Sequence, residues 1–480
     1  MNPHTVDLQR IERATPPGAM LVVGRIRRAG GAAYLVGGCL RDLLLGRPVK
    51  DWDLATDLTP KELRPLFRRV HEVGARFGTL LVPAGGAVYE VTTFRTEREY
   101  SDGRHPDGVA YTRDLTEDLR RRDFTINAMA WTPGAAGIVD PHGGLSDLAL
   151  KRIRAVGEPR DRFREDALRL LRAVRQATEL DFRIDEPTFA ALREEAAGLR
   201  RVSAERVRDE LTRILQAPRP SRGLRLLRET GLLALILPEL DATFGAPQNR
   251  FHAYDVFHHS LYTADAAPAD DLIVRWAALL HDIAKPQTAA AGEGETERTF
   301  YGHQVLGARL ARRILRRLRY SNEQVERISH LVYHHMFYFQ TEWTDSAIRR
   351  FVRAVGLENI PDLIALRLAD MAGNGRRGGD RTPMHRLLQR VEEVMQKDAA
   401  LTVKDLAIGG HDLMALGLAP GPGFGRILRA LLEQVLDHPE LNEREALLAE
   451  ARALAARGVH LEPDAHERGA GGGRRSRDEG

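Results

Sequence analysis

The apolar residues of this chain change their period once, and that change limits the folds open to it. From about residue 25 to 155, short β-like runs alternate with turns: AAYLVGG, DWDLAT, GTLLVP, AVYEVTTFR and RIRAVG. Two helical stretches, CLRDLLLG and PKELRPLFRRV, interrupt them. This predicts a small α/β or α+β domain. Beyond Arg160 the β signal fades and apolar residues recur at helical spacing to the end. At 480 residues the chain is too long for one hydrophobic core, so three or more units are expected. Pro238 and the turn-rich DATFGAPQN mark one boundary, GNGRRGGD a second, and the Gly/Arg-rich tail ERGAGGGRRSRDEG reads as disordered. No solenoid period is present.

Composition narrows the class. With 43% hydrophobic and 29% charged residues, and no apolar run near the ~20 residues of a membrane span, a soluble globular protein is expected. The opening MNPHTVDLQRIERATPPGAM lacks a signal-peptide pattern, and Cys39 is the sole cysteine. A cytoplasmic location without disulfides or a cysteine zinc site follows as the expectation. The net charge of +4 does not by itself argue for nucleic acid; clustered arginine has to.

In LVGGCLRDLLLGRPVKDWDLAT a strand (Tyr34 to Val36) runs into Gly37-Gly38, with a helix starting just after. Bare glycine backbone and helix-start N–H groups suit a phosphate, and Arg41 adds a charge-assisted contact. Asp51 and Asp53, two apart on a strand, turn their carboxylates the same way. Paired carboxylates suit Mg²⁺, and two such metals activate a hydroxyl and stabilise a leaving pyrophosphate. An isolated DxD is more often a solvated turn; the Gly-Gly-x-x-Arg before it shifts the balance.

These motifs, followed by EVTTFRTEREYSDGRHPD, EDLRRRDFTINAMA, VDPHGGLSDL and RAVGEPRDRFREDALRLLRAVR, span roughly residues 35–180. Together they resemble the class II tRNA nucleotidyltransferase and bacterial poly(A) polymerase family. The resemblance implies that Gly38, Arg41 and Arg122 contact the triphosphate and that Asp51 and Asp53 bind Mg²⁺. Asp123 and Asn127 resemble the ribose-side residues, and Glu90 is a candidate third acid. Glu165-Asp166 is read as opening a helix, EDALRLLRAVRQ, with Leu168, Leu171 and Val174 as its apolar stripe and its arginines as a basic edge. An Asp166–Arg169 salt bridge alone is worth only a few tenths of a kcal/mol. The family reading makes the two a protein template for the base, with Arg172 and Arg175 lining the same pocket.

Farther on, VFHHSLYT, WAALLHDIAKP, TFYGHQVLGARL, LVYHHMFYF and LRLADMAGNG resemble an HD metal-dependent phosphohydrolase domain. Carried over, the ligands are His259, His281, Asp282 and Asp370, with His303 and His335 as those of two-metal members. His258 and His334 stay open as alternatives to their neighbours. Such donors suit Mn, Fe, Co or Ni, and Mg²⁺ is also admitted. Both an active phosphodiesterase and an inherited fold stay in play.

The expected fold is α+β: a nucleotidyltransferase head with a small mixed β-sheet (25–155), a helical neck and body (156–245), an HD domain (248–379), a helical C-terminal unit (380–466) and the tail (467–480). The expected reaction is template-independent addition of CMP and AMP from CTP and ATP to the 3′ end of tRNA. No membrane or obligate protein partner is expected. An A-adding or CC-adding enzyme is the near alternative, and a poly(A) polymerase a more distant one. FRTEREYSDGRHPDGVAY resembles the flexible loop that full and A-adding enzymes keep and CC-adding enzymes tend to lack, which argues against CC-only addition and leaves A-only addition open. An HD phosphohydrolase with an RNA-binding head is the alternative of another class. The arginine-dense RVSAERVRDELTRIL and GARLARRILRRLRYSNEQVERI are read as solvated faces to which tRNA would give phosphate partners.

Overall fold

The protein is described here by a computed structural model covering residues 7–72, 78–98, 108–249, 252–291, 298–340, 342–376, 380–397 and 400–459. The central part of FRTEREYSDGRHPDGVAY, part of GNGRRGGD and the tail lie outside the described residues.

The head is built on strands β1 (Ala33–Val36), β2 (Asp53–Thr56), β3 (His71–Glu72), β4 (Thr79–Ala84), β5 (Ala87–Thr93), β6 (Arg95–Arg98), β7 (Gly108–Tyr111) and β8 (Ala130–Trp131). Six of them form one sheet in the order β3-β4-β5-β2-β1-β8, while β6 and β7 pair as a separate hairpin. Among the described residues of this sheet, only the β2–β5 pairing is parallel, so the sheet is mixed. That pairing sets Asp53 opposite Glu90. Helices Leu8–Ala14 and Pro17–Arg28 precede the sheet and contribute Ile11, Val22 and Ile26 to the same core as Leu35 and Leu54.

Three local expectations are corrected. PKELRPLFRRV is helical only over Pro60–Leu63, followed by one 3₁₀ turn, Arg64–Leu66. Pro65 lacks an N–H and its ring crowds the preceding turn, so the helix stops. Asp51 lies in a bend before β2, so the two carboxylates do not share a strand. The EDALR segment is not one helix start: Pro159–Glu165 ends, Asp166 takes an extended conformation (φ −137°, ψ 105°), and a new helix runs Leu168–Leu180. Asp166 Oδ1 then caps the new helix by accepting from the Leu168 N–H at 3.0 Å.

Leu168–Leu180 is buried on nearly all sides. Leu170, Leu171 and Val174 are fully enclosed, each contributing about 1.5–3 kcal/mol relative to exposure. Arg169 and Arg175 are buried as well and Arg172 is partly exposed, so the expected basic edge is largely enclosed rather than open to solvent. One continuous core runs from Ile11 to Val394, and a second, from Ala400 to Leu454, holds the last helices together. No helix among the described residues is long and apolar enough to cross a membrane.

Candidate active site and metal centre

The helix Gly37–Leu45 starts directly at the end of β1, and Gly37 has φ +70°. A Cβ there would sit 3.0 Å from Arg122 Nη1 and 3.4 Å from Asp53 Oδ2, so glycine meets both the left-handed backbone and the crowding. The buried Cys39 thiol donates to Val36 O at 3.0 Å and contacts Asp53 O at 3.5 Å, tying this helix to β2. Burial and the Asp53 charge push that thiol up to about 12, so it stays neutral.

Beyond this junction opens a cavity of about 1320 Å³ between the head and the helix Leu168–Leu180. Gly38, Arg41, Asp51, Asp53, Glu90, Arg122, Asp123, Asn127, Asp166, Arg169, Arg172 and Arg175 all line it. Burial raises the Asp53 pKa; Arg122 offsets this in part, and Asp51 adds to it. Glu90 is raised by burial and then by Asp53 and Asp51. Asp53 and Glu90, crowded this way, are destabilised as anions, and a divalent cation with oxygen preference would relieve that.

Opposite the acids, Arg41 Nη1 donates to Asn127 Oδ1 at 2.8 Å. Asp123 is the hub of this wall. Its Oδ1 accepts from Phe124 N (2.8 Å) and Asn127 Nδ2 (3.0 Å), and its Oδ2 accepts from Arg172 Nε (2.8 Å). Burial opposes ionisation of Asp123, yet the Arg172 charge and the Asn127 bond hold it well below the usual carboxylate range. Arg169 pairs with Glu165 at 2.5 Å and donates to Arg121 O, whereas Asp166 pairs with Arg206 at 2.8 Å. The simple i,i+3 bridge between Asp166 and Arg169 is therefore not formed. Arg175 is held by Glu210 (2.5 Å) and Glu179 (2.7 Å), and Arg213 Nε donates to Glu179 at 3.0 Å.

Sequence reasoning missed these holding residues. Gln176, which accepts from Asn127 at 3.1 Å, is one turn from Arg172 on the same helix. Arg206, Glu210 and Arg213 share a face at i, i+4, i+7, which was the available signal. The arginine-dense segments are largely committed to carboxylates: Arg206 and Arg213 as above, Arg312 to Glu326, Arg317 to Glu239.

The second constellation converges at another place. His259 Nε2 lies 3.1 Å from His281 Nε2 and 3.1 Å from Asp370 Oδ1, and His281 Nε2 is 3.1 Å from Asp282 Oδ2. On the other side of Asp282, its Oδ1 is 3.5 Å from His303 Nε2, itself 3.2 Å from His335 Nε2. The Nδ1 atoms of His281, His303 and His335 face the carbonyls of Ala278, Phe300 and Val332 at 2.7–2.8 Å. Those carbonyls fix Nδ1 as the donor and leave the Nε2 lone pairs aimed at one another, which a cation between them would reconcile. Burial and His281 push His335 down to about 3, keeping it neutral. Burial opposes the Asp282 charge, but His281 and Lys285 hold its carboxyl well below the usual range.

His258 pairs with Asp255, and the His334 ring lies against that of His330, tilted by 50°; neither joins these groups. His252 and Lys285 were not singled out by the sequence. His252 groups with His259 and Asp282, and Lys285 Nζ sits 2.6 Å from Asp282. The adjoining cavity, about 350 Å³, also receives Asn249, Tyr301 and Arg367.

Fold and sites together define a nucleotidyltransferase head joined to an HD domain. Family profiles agree: residues 33–154 match the Poly A polymerase head domain, 181–244 the probable RNA and SrmB-binding site of polymerase A, and 251–373 the HD domain. The chain is 38% identical over 417 residues to the A-adding tRNA nucleotidyltransferase of Deinococcus radiodurans, covering 84% of this chain and 91% of that one. It is 32% identical over 440 residues to the CCA-adding enzyme of Streptococcus thermophilus, covering 91% and 96%. The crystal structure of the Bacillus stearothermophilus CCA-adding enzyme in complex with CTP superposes with a TM-score of 0.71 at 30% identity, covering 92% of this chain and 100% of that one. This chain belongs to the tRNA nucleotidyltransferase family.

Proposed function

We propose that the chain adds CMP and AMP from CTP and ATP to the 3′ end of tRNA without a nucleic-acid template, releasing pyrophosphate. The observation that carries this is the convergence of Asp51, Asp53 and Glu90 with Asp166, Arg169, Arg172 and Arg175 on one cavity. Asp51 and Asp53 would hold Mg²⁺, which activates the 3′-hydroxyl and stabilises the leaving pyrophosphate when bound. Gly38, Arg41 and Arg122 orient the triphosphate; Asp123 and Asn127 position the ribose side. Asp166 and Arg169 present an acceptor and donors to the Watson–Crick edge of the base, so the protein itself selects the nucleotide. Arg172 and Arg175 back that pocket. The divisions 25–155, 156–245, 248–379 and 380–466 are the working units we assign, in the cytoplasm. Asp53→Ala should abolish incorporation of both nucleotides, whereas Arg169→Ala should blur the choice between CTP and ATP. Equal loss of both nucleotides in the two variants would argue against a templating role.

Two further readings rest on specific observations. A-only addition is favoured by the 38% identity to the A-adding enzyme of Deinococcus radiodurans, against 32–34% for the CCA-adding relatives. A second, hydrolytic centre is favoured by the converging lone pairs around Asp282. His259, His281, Asp282 and Asp370 would hold one transition metal or Mg²⁺, and Asp282, His303 and His335 another, activating water against a phosphate ester. Hydrolysis of a 2′,3′-cyclic phosphate that survives Asp51→Ala and is lost in Asp282→Ala is the test.

A further inference from the structure

Arg275 is a cation only 2% exposed, on the helix Leu272–Leu280 that leads into His281-Asp282. Its guanidinium donates to main-chain carbonyls: Nε to Ala267 (3.0 Å) and Pro268 (3.2 Å), Nη1 to Leu215 (2.6 Å) and Ala217 (2.8 Å). Burying a charge is costly, and only the guanidinium fork matches several carbonyls at once. Leu215 ends the helix Ala204–Leu215, where the last carbonyls lack intrahelical partners and a cation is favoured. Ala267 caps the helix Val256–Ala266, which carries His259.

What lies beyond those carbonyls gives Arg275 its consequence. Gln216, Ala217 and Pro218 form part of the wall of the nucleotide cavity. The helix Ala204–Leu215 has two working faces, offset by two residues or about 200°. On one, Arg206, Glu210 and Arg213 hold Asp166, Arg175 and Glu179. On the other, Arg208 donates to Arg319 O at 2.8 Å, Thr212 bonds Tyr320 at 2.7 Å, and the helix end accepts from Arg275.

We propose that Arg275, a residue of the HD unit, is a positioning residue for nucleotide addition. It fixes the end of the Ala204–Leu215 helix, and through it the Gln216–Pro218 wall and the side chains that hold the base-selecting residues. This rests on the nucleotide-adding reading above. The test compares full-length wild type, Arg275→Met, Arg275→Lys and the HD-core variant Ile328→Ala, using tRNA ending in CC with ATP and Mg²⁺, alongside thermal melts. Arg275→Met should raise the ATP KM about tenfold through misplacement of the wall, with smaller change in kcat. Arg275→Lys should recover part of it, and Ile328→Ala should lose stability while keeping the wild-type KM. An unchanged KM in folded Arg275→Met, or an equal rise in Ile328→Ala, overturns the proposal. If Arg275→Met does not fold, an unchanged KM in Arg275→Lys overturns it. Absence of addition by the wild type would instead sink the reading beneath it.

Discussion

Asp53 is held where its charge is unwelcome to the fold: burial raises its pKa, and Asp51 lies beside it. Such strain is characteristic of sites whose purpose lies outside stability. Asp53→Asn is therefore expected to change unfolding free energy by no more than about 1 kcal/mol, while nucleotide addition falls on the order of 10³-fold. Paired melts and single-turnover assays check this, and a large loss of stability would count against it. Asp123 is the opposite case. Its folded pKa lies below the unfolded value, because Arg172 and Asn127 overcome burial. Its contribution is thus fully present above about pH 4, the unfolded range, and is lost as pH falls through the depressed folded value. Asp123→Asn should cost about 1.5–3 kcal/mol at neutral pH and flatten the acid limb of stability. Urea midpoints measured from pH 7 downward decide it; identical acid slopes in the two proteins would refute the assignment.

At the level of elements, the strand-to-helix junction depends on Gly37. Gly37→Ala forces an L side chain into a left-handed conformation, about 1–2 kcal/mol, and crowds Arg122. It should lower the melting temperature and raise the KM for CTP and ATP together; an unaltered KM would show that Arg122 adjusts freely. This junction was legible in the sequence because Gly-Gly, the arginine and the aspartates are close along the chain and each limits the backbone by itself. Pro65 was equally legible and should have ended the helix after Leu63. The break at Asp166 was not: Glu165, Asp166, Ala167 and Leu168 include no glycine or proline. It is accompanied by distant partners, Arg206 on Asp166 and Arg121 O on Arg169. For the same reason the arginines of Leu168–Leu180 read only as a basic edge, since Glu210, which neutralises Arg175, comes 35 residues later. The choice of His259 over His258 needed the helix phase against neighbouring helices, which spacing alone does not supply.

Across the whole molecule, one core joins the head to the HD domain, yet the two clusters draw on separate carboxylates. Asp282→Ala should remove the component of Mn²⁺ or Ni²⁺ binding, measured by calorimetry, that belongs to the histidine cluster and persists in Asp51→Ala, and leave nucleotide addition intact. Loss of addition in that variant, with the fold preserved, would mean the centres are not chemically independent. The central claim is that this fold extends tRNA without a template. Its most direct measurement supplies tRNA transcripts ending before CCA, after one C, and after CC, each with Mg²⁺, CTP and ATP, and sizes the products. The account predicts that all three are completed to CCA, whereas extension of the CC-ended transcript alone would mark an A-adding enzyme. Failure of all three transcripts to gain a nucleotide would contradict the account.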